Sequence, residues 1–281
     1  MYPLLDCDVY NLVESGLEIY ANMKIAVLDV HDEKYEHIFE ISAPIKEAYC
    51  RKHGYDFIYY PAETPLVPLD RQENWARVQG IIYHLKSYDW ILYLDTDILI
   101  TNDEIKIESF IDDSFNLIVG PLADEGHIMT SSMLIKNCRW SFEFFLDLYS
   151  QTQFICQEYY SCPENGHRAT GNPCTGGLFF EQSSFHFLYD NFEKYRNKIK
   201  RTPQNMFNSE TKSYKQGDFL IHFPSQLYKR KIMMKMLDEG YESALSLASP
   251  VNLRDERIVL QEKYFTQKKI KNKFIKGNFK R

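Results

Sequence analysis

The chain has 281 residues, 44% hydrophobic and 26% charged, the balance of a globular protein with enough length for a substantial core. Its net charge of −6 is unevenly spread: residues 261–281 carry eight Lys or Arg against one acid, a local +7 that leaves the remainder near −13. That balance excludes a nucleic-acid binder organised along the whole chain, and the lack of any apolar run of about 18 residues argues against a membrane-spanning helix.

Residues 24–30, KIAVLDV, read as a short buried strand. A helix-like stretch follows over 35–52, and His53–Gly54 supplies its stop. YDFIYY (55–60) is a second strand, and a Pro-punctuated loop then leads to a helix in which Trp75, Val78, Ile82 and Leu85 recur at spacings of three and four. WILYL (90–94) is the third strand. Further strands are expected at 115–120, 131–137 and 218–223, with helices at 140–151 and 178–192 and helical patterns over most of 231–272. Strands alternating with helices imply a parallel sheet covered on both faces. No clean linker interrupts the pattern, so residues 1–230 are expected to form one domain and 231–281 a helical appendage ending in the basic tail.

Six cysteines (Cys7, Cys50, Cys138, Cys156, Cys162 and Cys174) fall at no metal-finger spacing. Three of them lie between 156 and 174, where one local disulfide could close, but reduced thiols are the expectation. The N-terminal stretch MYPLLDCDVYNLVESG is acidic and too weakly apolar for a secretory signal, and no Asn-x-Ser/Thr glycosylation site occurs. A cytoplasmic protein, soluble or peripherally attached to a membrane, is expected. Tyr264, Phe265, Phe274 and Phe279 interleave with the tail's charges, a mixture suited either to an anionic membrane surface or to a solvated terminus.

The stretch DWILYLDTDILITN (89–102) places Asp95 and Asp97 inside the most hydrophobic part of the chain. An ionised carboxylate buried without a partner is costly, so a positive group should meet them. Carboxylates one residue apart at the carboxyl end of a buried strand can share a divalent cation that also binds phosphates, and ligands of open α/β sheets bind at that end. An EF-hand fails, because Leu99, Ile100 and Lys106 occupy positions that need a ligand, a glycine and a glutamate. A dehalogenase-type phosphohydrolase with Asp95 as nucleophile would want Thr or Val at Leu99 and would carry the motif on its first strand. A nucleotide-sugar glycosyltransferase accommodates the motif on the third strand.

The run NWARVQGIIYHLKSYDWILYLDTDILITN resembles glycosyltransferase family 34, which includes fungal galactosyl- and mannosyltransferases and plant xyloglucan xylosyltransferases. AYCRKHGYDFIYY resembles that family's Tyr-x₃-His-Gly-Tyr segment. SSMLIKNCRWSFEFFLDLY resembles its strand, turn and helix, with Lys136 for the usual Arg. FEQSSFHFLY matches its acidic-Gln pair, and DFLIHFPS its late His-Phe. Five segments in the right order span roughly 25–228. The chain departs from the pattern at Met129-Thr130-Ser131, where the family has Asn-Thr-Gly, and at Pro224-Ser225, where it has Gly-Cys.

The resemblance implies a GT-A type fold, an α/β architecture with a Rossmann-like, mostly parallel sheet, helices on both faces and an acceptor-binding half. It implies retaining, metal-dependent transfer of a sugar from a nucleotide-sugar, UDP-sugar ahead of GDP-sugar, to a glycan acceptor. Mn²⁺, with Mg²⁺ as the substitute, would be held by Asp97 and His222, with Asp95 on the metal or on the donor's ribose. Gln182 is expected beneath the anomeric carbon, with the neighbouring Glu181 as the nucleophile of a double-displacement alternative. Arg77 and Lys229 are expected on the diphosphate, the loop Asp29, Val30 and His31 beside the nucleotide base, and the polar stretch 156–176 at the acceptor. Most have a plainer reading: a core histidine for His222, a solvated helix charge for Arg77, a surface residue for His31, polar helix positions for Glu181 and Gln182, and an ordinary long surface loop for 156–176. The competing functions are a D-x-D metal-dependent phosphohydrolase and a glycan-binding relic without activity. Retention of Asp95, Asp97 and His222 together speaks against the relic.

Overall fold

In the computed structural model the apolar run at 24–30 forms β1 (Ile25–His31), all seven residues of which are buried. The structure describes residues 23–31, 33–61, 71, 73–121, 128–155, 180–211, 213–224 and 229–239. The loop 156–176, the tail 261–281 and four of the cysteines (Cys7, Cys156, Cys162, Cys174) lie outside those residues. The chain divides into two compact units, 1–222 and 223–281.

In the first unit, β1 leads to α1 (Glu36–His53), which ends where Gly54 turns left-handed at φ 77° and its N–H closes on the Cys50 carbonyl. A residue with a Cβ adopts that conformation at a cost, so the glycine marks the stop. There follow β2 (Asp56–Pro61), α2 (Ala76–Leu85), β3 (Trp90–Leu94) and the short β4 (Ile98–Ile100). Then come β5 (Leu117–Pro121), β6 (Ile128–Lys136), α3 (Arg139–Ser150), α4 (Phe180–Asn191), α5 (Glu193–Arg196), β7 (Ile199–Arg201), α6 (Gln204–Phe207), β8 (Ser209–Glu210) and β9 (Leu220–His222). The second unit contributes α7 (Lys229–Glu239). Among the described residues, no helix is long and apolar enough to cross a membrane.

Six strands form the main sheet in the order β2-β1-β3-β6-β5-β7. The pairs β1–β2, β1–β3 and β5–β7 are parallel, whereas β6 runs antiparallel to both β3 and β5. The parallel expectation therefore holds for most of the sheet and fails at β6, which returns directly beside β3 without a crossover helix. The continuous apolar runs of β1 and β3 follow from burial on both faces. On one face Ala26, Leu28, Ile91 and Tyr93 pack with Trp75, Ile81, Phe144 and Phe185 from the α2, α3 and α4 side. On the other, Val27, Trp90 and Leu92 pack with Tyr49 and Cys50 of α1 and with Ile98 and Leu220. The alternation of core sides along each strand is the two-residue pleat at work.

A second, three-stranded sheet in the order β4-β9-β8 is a separate layer that the sequence pattern does not announce. Its central pairing sets Ile98 opposite His222, and the parallel β8 sets Glu210 beside it. That register carries the late histidine back to the residue following Asp97.

Candidate metal centre

Asp95 is the first residue past β3, and Asp97 the last before β4. The turn between them is closed by the Ile98 N–H donating to the Asp95 carbonyl at 3.1 Å, while the Asp95 N–H donates to the Ser131 carbonyl at 2.7 Å. With His222 placed by the β4–β9 register, one ligand atom each from Asp95, Asp97 and His222 lies within 4.8 Å of the others. His222 Nδ1 hydrogen-bonds the side-chain oxygen of Asn208 at 2.8 Å. That oxygen accepts an N–H on Nδ1, and Nε2 faces Asp97 Oδ1 at 3.4 Å. Neutral imidazole is the form that ligates metals, and with it the two facing acceptors would repel unless a cation lay between them. The donor set, two carboxylates and one imidazole with its other nitrogen anchored, fits a divalent transition metal such as Mn²⁺.

The positive group that meets the buried acids is Arg77, in the first turn of α2. Its Nη1 lies 3.0 Å from Asp95 Oδ1 and 3.3 Å from Glu181 Oε1, and the guanidinium sits 5.3 Å from the Tyr93 ring centre. The Tyr93 hydroxyl donates to Asp95 Oδ1 at 2.7 Å. Glu181 and Gln182 come from the first turn of α4, and the Thr130 hydroxyl on β6 stands 3.4 Å from a side-chain oxygen of each. Burial pushes the Asp95 carboxyl above its ordinary range and Asp97 adds to the rise, against the pull of Arg77. Glu181 is raised the same way, by burial first, with Arg77 opposing. Burial disfavours the charge on Arg77, but the two carboxylates outweigh that and hold its pKa above the usual arginine value. The Tyr93 phenol is raised by burial.

Asp29, Val30 and His31 belong to the end of β1, not to the loop after it, because the buried strand extends through His31. Asp29 is fully buried with both oxygens engaged: Lys46 Nζ at 2.5 Å from one and the Thr96 hydroxyl at 2.7 Å from the other. Val30 packs into the core on the α2 side. His31 is buried, stacked on Phe39 at 4.1 Å, with Nε2 2.9 Å from Glu36. Lys229 begins α7 in the second unit.

The structure thus gathers Asp95, Asp97, His222, Arg77 and Glu181 at one place, with Gln182 linked through Thr130. Sequence reasoning missed Tyr93, Thr130, Asn208 and Lys46. For Lys46 a signal existed: it falls on the stripe Ile38, Ser42, Lys46, Tyr49 and Cys50, all buried, and a lysine on the core face of an amphipathic helix demands a partner. Asn208 had none, since nothing local marks it as a neighbour of β9.

The DUF273 family profile, which describes a protein of unknown function, matches residues 46–167. Galactomannan galactosyltransferase 1 of Cyamopsis tetragonoloba is 31% identical over 109 residues, 35% of this chain and 24% of that protein. The match thus spans about a quarter of the relative's length. Among solved structures, a glycosyltransferase involved in the glycosylation of the major capsid of PBCV-1 superposes with a TM-score of 0.55 at 20% identity, over 75% of this chain and 98% of that one. The fold is of the GT-A glycosyltransferase type, and the matches point to a glycosyltransferase family.

Proposed function

We propose that this chain is a divalent-metal-dependent, retaining glycosyltransferase that moves a sugar from a nucleotide-sugar, UDP-sugar in preference to GDP-sugar, to a glycan acceptor. The observation that carries the reading is the convergence of Asp95, Asp97 and His222 at the carboxyl end of a central strand in a GT-A sheet. The galactosyltransferase likeness over 109 residues supports it, as does the five-segment resemblance to glycosyltransferase family 34. Mn²⁺ held by Asp95, Asp97 and His222 would supply charge neutralisation to a donor's diphosphate.

The remaining work falls to the chain's own side chains. Arg77 holds Asp95 and Glu181 in place, its charge favouring their ionised forms against the burial that opposes them, and offers a fixed positive charge where a diphosphate would leave. Gln182 lies beneath the sugar's reacting carbon in this reading. An amide is a poor nucleophile, so attack from the same face as departure is favoured over a covalent adduct. Glu181 is already committed to Arg77, which lowers its availability as a nucleophile. A phosphohydrolase using Asp95 to form a phosphoaspartate suits the geometry less well, because Asp95 Oδ1 already accepts from Tyr93 and Arg77. In this reading Lys229 would serve the phosphates, the stretch 156–176 the acceptor, and the basic tail an anionic membrane surface. Residues 1–230 would carry catalysis, with 231–281 a helical appendage.

The test is thermal stabilisation and metal-dependent hydrolysis across a panel of UDP- and GDP-sugars. Stabilisation by Mn²⁺ with a UDP-sugar, beyond that given by either alone, supports the assignment. A wild-type protein that gives neither a melting shift nor hydrolysis with any donor sinks it.

A further inference from the structure

Lys46 is fully buried, on the core-facing stripe of α1, far along the chain from the acidic turn it reaches. Its Nζ donates to Asp29 Oδ2 at 2.5 Å and to the main-chain carbonyl of Asp95 at 2.9 Å. Asp29, also fully buried, accepts the Thr96 hydroxyl on its other oxygen at 2.7 Å. Thr96 is the residue between the two acidic ligands. The contacts close a ring that runs from Lys46 through Asp29 and Thr96 to the Asp95 carbonyl and back to Lys46. It grips the turn by its backbone and by its middle side chain, leaving the Asp95 and Asp97 carboxylates to face His222.

As a source of stability this ring is a poor choice. Burying an ion pair costs desolvation that well-packed apolar residues of similar volume would avoid. What it supplies is fixed geometry: the same carbonyl that closes the turn with the Ile98 N–H is held from behind by an ammonium. Removing the groups that hold metal ligands in place typically costs about 10- to 100-fold in affinity for the ion.

We propose that Lys46, acting through Asp29 and Thr96, is a positioning residue that sets the affinity of the Asp95–Asp97–His222 site for a divalent cation. The inference rests on the reading of that cluster as a cation site. It also places Asp29 behind the turn, and the buried ion pair then has a task other than touching the donor.

The experiment titrates Mn²⁺ alone, counting free ion by electron paramagnetic resonance, and follows metal-free melting in parallel. In the double variant Asp29→Asn/Lys46→Met both charges leave together, so neither is stranded. Metal-free melting within a few degrees of wild type is expected, with Mn²⁺ binding weakened about tenfold or more, the scale seen when the groups behind metal ligands are removed. Thr96→Val, which removes one contact of the ring, should weaken Mn²⁺ binding less and broaden the bound-ion spectrum in the same direction. A folded double variant with wild-type Mn²⁺ affinity overturns the inference while leaving the cation site standing. Should the double variant not fold, Thr96→Val decides alone, and unchanged affinity and spectrum overturn it. A wild type that binds no Mn²⁺ removes the cation site and the inference together.

Discussion

His222 and Asn208 are joined by a 2.8 Å hydrogen bond between Nδ1 and the side-chain oxygen, and both residues are buried. The bond orients the ring so that Nε2 faces Asp97. Asn208→Ala should weaken Mn²⁺ binding by about tenfold or more, because an unanchored imidazole samples other orientations and tautomers. His222→Ala should weaken it further. Isothermal titration with Mn²⁺ and UDP checks both, and an Asn208→Ala protein with wild-type affinity would show that the ring is held by packing alone.

Asp97→Asn nearly preserves volume while removing a charge and most of the ligand strength. Transfer activity should fall by roughly a hundredfold or more, as losing an electrostatic contact to the transition state costs about 3 to 4 kcal/mol. Metal-free melting should stay level or rise, since crowding between neighbouring acids is relieved. Parallel decay of activity and melting temperature would instead make Asp97 a structural residue.

Arg77 pairs with two carboxylates that are themselves largely buried. Arg77→Met should destabilise by about 3 to 5 kcal/mol, because both acids are left without their cation. Arg77→Lys should recover part of the loss, keeping a charge but not the planar fork that reaches both acids. Urea denaturation of the three proteins is the check. A loss below about 1 kcal/mol for Arg77→Met, the scale of a surface ion pair, would mean water takes the guanidinium's place.

Cys50 is a buried free thiol whose pKa is pushed up to about 12, by burial first, with Lys46 opposing and Asp56 and Glu47 adding to the rise. The folded value lies above the ordinary 9.0. Its contribution to stability is therefore complete below about pH 9, where both states keep the proton, and is lost as pH climbs toward about 12. The buried phenols of Tyr49 and Tyr60 are raised by burial too and act in the same sense at higher pH. Melting temperature should fall steadily from pH 9 to 11, with a shallower slope in Cys50→Ala, and iodoacetamide at pH 8 should label Cys50 only in denaturant. Rapid labelling of the native protein would contradict the burial argument.

The longer strands and helices of the first unit follow from local pattern, because β1 and β3 are apolar without interruption and α1 and α2 carry their core residues at helical spacing. The position of Asp95 and Asp97 at a strand's end was legible for the same reason: two charges closing a buried run are tolerated only where a cation meets them. His222 could be singled out as a candidate ligand from its place after an apolar strand and the family-like late His-Phe. What local pattern does not encode is the second sheet: the strand expected at 218–223 forms as β9, but its partners β4 and β8, three and two residues long, are too short to show a period. The antiparallel return of β6 is equally invisible, because pairing direction depends on which strand lies alongside. Arg77 and Lys46 look alike along the chain, each a cation on a helix. Folding separates them, setting one against the Asp95 and Glu181 carboxylates and the other behind the Asp95 carbonyl. Residue order was enough to require that two acids be buried at the end of a central strand. The packing of α1, α2 and α4 around that strand chose which cations meet them, because partners so far apart along the chain are brought together by the fold and by nothing local.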